Sequence, residues 1–131
     1  MIVDKGFFSD NTEYSLTVHG TYNKFYFNIR IGGTPYSAVA DDVIILGRWY
    51  HLVGVSQSGS QKLYVNGILQ STQANGVGTM TTNNINLLIG NADNRTYWFD
   101  GLIDDVRIYN YARTAAEIRA DYNAGLSTYF K

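Results

Sequence analysis

Trp49-Tyr50-His51-Leu52-Val53-Gly54-Val55, Leu63-Tyr64-Val65-Asn66-Gly67 and Phe99-Asp100-Gly101-Leu102-Ile103-Asp104-Asp105-Val106-Arg107-Ile108-Tyr109 are the stretches whose reading decides the fold. The first is apolar at consecutive positions, as in a strand buried on both faces, and predicts a central strand over 49–56. The second ends in Asn66-Gly67 and resumes with Ile68-Leu69. A two-residue type I′ turn needs two positive φ values, which Asn-Gly supplies, so this is a β-hairpin. The third returns to apolar and aromatic strand-forming residues and predicts a strand over 97–109.

Upstream, Tyr14, Leu16 and Val18 alternate with Ser15, Thr17 and His19. Phe25, Phe27, Ile29 and Ile31 alternate with Lys24, Tyr26, Asn28 and Arg30. Both patterns have period two: one apolar face toward a core, one polar face toward water. Gly32-Gly33-Thr34-Pro35 is a turn, with a short strand after it over 36–39 and an extended piece over 43–46. Residues 71–84 read as loop and 85–89 as a strand stopped by Gly90. Downstream the period changes. Thr114-Ala115-Ala116-Glu117 is a capping box. Ile118 and Tyr122 follow one turn apart, so a short helix spans about 114–124.

Taken in order and spacing, these blocks resemble the LamG-like (concanavalin A-like) lectin/glucanase jelly-roll family. Its pattern is matched by Trp49 and His51, Leu63 to Gly67, Ile89-Gly90, Phe99 to Tyr109, and Ala112 to Ile118. The resemblance implies an all-β fold: a two-sheet antiparallel jelly-roll β-sandwich with one short C-terminal helix, a single domain over 1–131. It also implies a binding module at the cell surface or outside the cell. Family members carry additional strands before the point where this chain opens. Those strands flank the one over 101–109, whose Leu102, Ile103, Val106 and Ile108 are too apolar for an open edge. The expectation is that a second copy covers it in a two-fold dimer, or that residues 1–8 fold back into the gap.

Composition excludes several classes. Hydrophobic residues are 45% and charged residues 16%, a globular balance. The net charge of −1 gives no basic footprint for nucleic acid. No apolar run approaches the ~20 residues of a membrane span. Met1-Ile2-Val3-Asp4-Lys5 meets charge too early for a signal peptide. Cysteine is absent, which removes disulfides and thiolate metal sites.

Catalysis finds little support. A glycosidase needs two carboxyl groups flanking the bond, roughly 5–9.5 Å apart. Glu117 belongs to the capping box, Glu13 stands alone, and Asp104 and Asp105 point to opposite faces of a strand. With Glu and Asp so placed, a polysaccharide-degrading enzyme is the weakest alternative. His51 reads as a structural histidine, and Asp104 as an inward hydrogen-bonding residue beside Val106 and Ile108. A loop holding Asn91, Asp93, Asn94 and Asp100 concentrates oxygen donors of the kind calcium accepts, and relatives in the family often bind calcium. The same residues favour Asx turns, the reading preferred here.

A ligand surface is the best functional candidate. Tyr26, Asn28 and Arg30 share a strand face; Asp105, Arg107 and Tyr109 share another; Tyr64 and Asn66 share a face of the hairpin. Tyr97-Trp98 adds aromatic surface before the last strand. Flat rings mixed with amide, carboxylate and guanidinium groups suit sugars, which offer C–H faces and hydroxyls. The sequence therefore predicts a noncatalytic glycan-binding module. The alternative is a structural or adhesive module that binds protein, including itself.

Overall fold

The computed structural model describes residues 1–6, 13–92 and 97–128, the last three in backbone only. In chain order it contains β1 (Val3–Lys5), β2 (Tyr14–His19), β3 (Lys24–Ile31), β4 (Thr34–Val39), β5 (Leu52–Gln57), β6 (Ser60–Val65), β7 (Ile68–Leu69), β8 (Leu88–Ile89) and α1 (Ala115–Thr128). Two antiparallel sheets result, in the orders β4-β3-β2-β1-β8 and β5-β6-β7.

The period-two pattern of β3 sets the larger sheet. Phe25, Phe27, Ile29 and Ile31 are all buried, while the residues between them are half-buried on the opposite face. Phe25 and Phe27 join Ile2, Val3, Ala38, Ala40 and Leu63 in the core between the sheets. The Phe27 ring seats against Gly54 of β5. A Cβ there would overlap the Phe27 ring, so only glycine lets the sheets meet at this point. Gln61 is a fully buried polar residue of β6. Its amide accepts from the Gly76 N–H (2.6 Å) and donates to the Gln57 and Gly76 carbonyls (3.1 and 3.0 Å), so burial leaves nothing unpaired.

The hairpin forms as its turn chemistry requires. Asn66 and Gly67 both have positive φ, 52° and 74°. The Asn66 side chain also accepts the His51 N–H at 2.9 Å, tying the turn to the entry of β5. α1 is capped as expected: the Glu117 carboxylate accepts from the Thr114 N–H and hydroxyl, both at 2.8 Å. Those bonds, the backbone one first, hold the Glu117 carboxyl below its ordinary pKa. Ile118 is buried with Val55 and Tyr64, so the helix covers the outer face of the smaller sheet.

Three expectations need correction. No strand forms over 97–109; beyond Phe99, residues 100–113 make no backbone–backbone hydrogen bond among the described residues. A strand-forming sequence makes a strand only where a neighbouring backbone supplies partners, and no described backbone pairs with this one. Asp104, Val106 and Ile108 are consequently exposed rather than turned inward. The N-terminal residues form β1, which pairs with β2 and β8 and not with 101–109; residues 7 and 8 lie outside the described residues. The central strand begins at Leu52, not at position 49, which leaves Trp49 exposed.

His51 is half-buried, its ring 6.0 Å from that of Tyr122 on α1. Its Nδ1 is buried with no hydrogen-bond partner, so the histidine is structural but not fully satisfied. Burial pushes its pKa below the ordinary histidine value, and the nearby Asp121 carboxylate offsets this only in part.

Two outcomes are expected. Gly54→Ala should cost roughly 1–3 kcal/mol, as for an overpacked core, and Phe27→Ala roughly 3–5 kcal/mol. In a double-mutant cycle read by urea denaturation, Gly54→Ala should cost far less once the Phe27 ring is gone. Simple additivity of the two penalties would mean that the ring does not seat on Gly54. For His51, the native pKa lies below the unfolded value of about 6.5, so the unfolded chain binds the proton first. The contribution is fully present above about pH 6.5 and is lost as pH falls through the depressed native pKa. His51→Gln should flatten that part of the stability–pH curve. An unchanged slope in the variant would assign the acid sensitivity to other groups.

Candidate functional site

The five-stranded sheet has one face in the core and one outward. Register builds the outward face in rows. Asp4, Ser15, Asn28 and Ser37 lie directly opposite one another across β1, β2, β3 and β4. The next row pairs Thr17 with Tyr26 and Val39; on the other side Arg30 stands opposite Pro35. Residues two apart along a strand are separated by about 6.5–7 Å, so Tyr26 and Arg30 flank Asn28 at that spacing on either side.

The floor of this face is small and polar: Asp4, Ser15 and Thr17 are buried. Asn28 organises it. Its amide donates to Ser15 Oγ (3.2 Å) and Thr17 Oγ1 (3.4 Å), and its oxygen accepts from the Ser37 hydroxyl (2.8 Å). Each group around Asn28 thus has a fixed donor or acceptor sense. Arg30 donates from Nη1 to the Gly33 carbonyl at 3.1 Å, while its buried Nε has no partner. At the other end, His19 stacks at an angle on Tyr26 and on the exposed Tyr22, with ring centroids 5.0 and 4.7 Å apart. The face therefore runs from an aromatic cluster, across an amide–hydroxyl row, to a guanidinium.

The other expected ligand residues fall elsewhere. Asp105 and Arg107 form a bidentate pair at 2.9 and 2.7 Å, and the nearby Tyr109, with Asp105, raises the Arg107 guanidinium above its ordinary pKa. Tyr109 also carries the Arg113 guanidinium over its ring, 4.5 Å from the centroid. Neither a hydrogen bond, an ion pair nor a ring contact joins this group to Tyr26, Asn28 or Arg30. Tyr64 is only 4% exposed, covered by α1, and so presents no ring to a ligand. Asn66 spends its side-chain oxygen on the His51 N–H. Tyr97 and Trp98 are exposed, Trp98 at 67%.

Of the calcium set, Asp93 and Asn94 lie outside the described residues, and Asp100 is exposed. Asn91 turns its oxygen to the N–H of the next residue, Ala92, at 2.7 Å, not to the residue two on that an Asx turn uses. Among the described residues no three His, Asp or Glu side chains converge on a point that could hold a metal ion.

His19, Ser15, Thr17 and Ser37 join the face without having been singled out from the sequence. Their signal was present, since positions 15, 17 and 19 form the polar half of the β2 alternation. Only the register shows that this half meets the polar half of β3.

The family model described as the concanavalin A-like lectin/glucanases superfamily matches residues 2–119. No curated protein matches the chain. Among solved structures, the crystal structure of an S-layer domain-containing protein from Clostridium thermocellum ATCC 27405 is similar, with a TM-score of 0.52 and 23% identity. The match covers 87% of this chain and 58% of that one, so this chain spans less than two thirds of its structural neighbour. At that identity the likeness speaks for the fold alone. With two antiparallel sheets, a trailing helix and a family match over nearly its whole length, the chain belongs to the concanavalin A-like lectin/glucanase superfamily.

Proposed function

We propose that this chain is a noncatalytic glycan-binding module whose ligand surface is the outward face of the five-stranded sheet. The observation that carries the proposal is the Asp4–Ser15–Asn28–Ser37 row flanked by Tyr26 and Arg30. A sugar ring needs an aromatic face for its C–H groups and fixed donors and acceptors for its hydroxyls. The Tyr26–His19–Tyr22 cluster supplies the first, and Asn28 and Ser37 the second, with the buried Asp4 and Ser15 as the floor beneath them. Arg30, with Nη1 on the Gly33 carbonyl, adds a half-buried guanidinium at the end of the row, a donor group suited to a ligand oxygen.

The chemistry of the face supports binding over hydrolysis. Within its strands Asp4 is the carboxylate of this face, whereas glycoside hydrolysis uses a pair. A location at the cell surface or outside the cell accords with the lectin-like superfamily and with the S-layer domain of the structural neighbour.

A second reading rests on a different observation. Leu102 and Ile108 are 78% and 56% exposed, in a segment whose main chain is unpaired among the described residues. Apolar surface of this kind suits protein contact, including self-association, and it lies apart from the proposed sugar face.

A glycan array with the purified chain should identify a ligand, and calorimetry should then place it. Tyr26→Ala is expected to weaken that ligand about three- to tenfold, the worth of one ring contact of about 0.5–1.5 kcal/mol. The thermal midpoint should shift by no more than a few degrees, because Tyr26 stands outside the core. Tyr64→Ala should do the reverse, lowering stability through the α1 contact while leaving affinity unchanged in the folded fraction. Equal affinity of Tyr26→Ala and the parent chain would remove the ligand from this face.

A further inference from the structure

We propose that residues 102–109 pair with the same segment of a second copy of this chain, antiparallel and two-fold about Val106. The inference rests on the self-associating reading above and names the surface through which it acts.

The segment has the sequence of a strand and the surroundings of a loop. Residues 100–113 make no backbone–backbone hydrogen bond among the described residues; the Asp105 N–H is held only by the Asp104 carboxylate, at 2.8 Å. Leu102, Val106, Ile108 and Tyr109 are exposed, with Trp98 at the same end of the chain. The segment leaves the larger sheet beside β8, where the Phe99 N–H bonds the Gly90 carbonyl at 2.9 Å. β8 ends that sheet, and its Ile89 is exposed. At the opposite edge β4 is covered, because Val39 bridges to Thr72. Unpaired main chain, among the described residues, and exposed apolar side chains therefore coincide in this one segment, the combination that favours strand addition.

Charge selects a second copy as the occupant. In a two-fold antiparallel pair, a residue k positions before the centre faces the residue k positions after it in the partner. Centred on Val106, Asp105 faces Arg107 of the partner, and Arg107 faces Asp105 of the partner. Asp104 faces Ile108, Ile103 faces Tyr109, and Val106 meets its own mate. Centring on Asp104, Asp105 or Arg107 sets like charges directly opposite each other, which opposes pairing. One register thus satisfies both ionic residues at once.

The isolated chain holds these same groups in a closed form. Asp105 has φ of 51°, in the left-handed region, which bends the segment at its centre. That bend lets Asp105 and Arg107 of one chain bind each other at the surface, where an ion pair contributes little. Extending the segment returns Asp105 to a favourable backbone conformation. It also exchanges the two exposed intrachain pairs of the separate chains for two cross-strand pairs and supplies the missing main-chain hydrogen bonds.

Sedimentation equilibrium across a concentration series tests the pairing with four samples: the parent chain, Arg107→Asp, Asp105→Arg, and an equimolar mixture of the two variants. The parent should show a monomer–dimer equilibrium. Each variant alone places two like-charge pairs in the interface and should weaken dimerisation about tenfold or more. The mixture restores both opposite-charge contacts, Arg to Asp at each end, and should recover the parent's mass as a heterodimer. Circular dichroism should show all samples equally folded, since both positions are exposed. A parent chain that stays monomeric at several hundred micromolar overturns this pairing and the self-associating reading together. A parent dimer that is indifferent to either charge reversal, or a mixture no more associated than its components, overturns the pairing alone.

Discussion

The contact between the Phe27 ring and the backbone of Gly54 fixes how the two sheets lie on each other. Stacked sheets sit about 10 Å apart when ordinary side chains interdigitate. Here an aromatic ring occupies the space a Cβ would take, so β3 and β5 come together at a point that tolerates no other pair of residues. Once Phe27 faces inward, period two sends Phe25, Ile29 and Ile31 in with it and turns Tyr26, Asn28 and Arg30 outward. The register with β2 and β4 then follows, and the outward row with it. Core packing and ligand surface are two readings of one eight-residue strand.

How much of this was legible depends on how local the cause is. β3, the Asn66-Gly67 turn and the Thr114–Glu117 cap each have their reason within a few residues, and each formed where the sequence placed it. Residues 97–109 are rich in strand-forming residues but form no strand among the described residues, because a strand is a relation between two segments and its partner is not encoded in its own pattern. Tyr64 illustrates a second limit. Alternation separated its face from that of Leu63, but both faces of β6 are covered, one by the core and one by α1. Polar neighbours such as Lys62 made the outer face read as solvent-facing. Asn66 was legible as a turn residue and misread as a ligand residue; its amide oxygen was already committed to His51.

The candidate surface was half legible. Tyr26, Asn28 and Arg30 were visible as a polar stripe. The hydroxyls that give Asn28 its orientation come from Ser15, Thr17 and Ser37, on two other strands. Ser37 sits in a strand too short and too mixed in polarity to assign a face from sequence. Long-range register supplies the second half of any sheet-borne site, and no single-strand pattern contains it.

The helix that covers the smaller sheet has a consequence for how such a module can change over time. β5 and β6 are committed on both sides, to Leu63 and Gly54 inward and to Tyr64, Val55 and Ile118 outward, so substitutions there are felt as stability. Only the larger sheet keeps a face outside the core. The accessible alternate positions, Tyr26, Asn28 and Arg30 of β3 and Pro35 and Ser37 of β4, can vary in charge, size and hydrogen-bonding sense while the residues between them hold the fold unchanged. New surface chemistry can therefore accumulate on one wall of the sandwich without passing through intermediates that fail to fold.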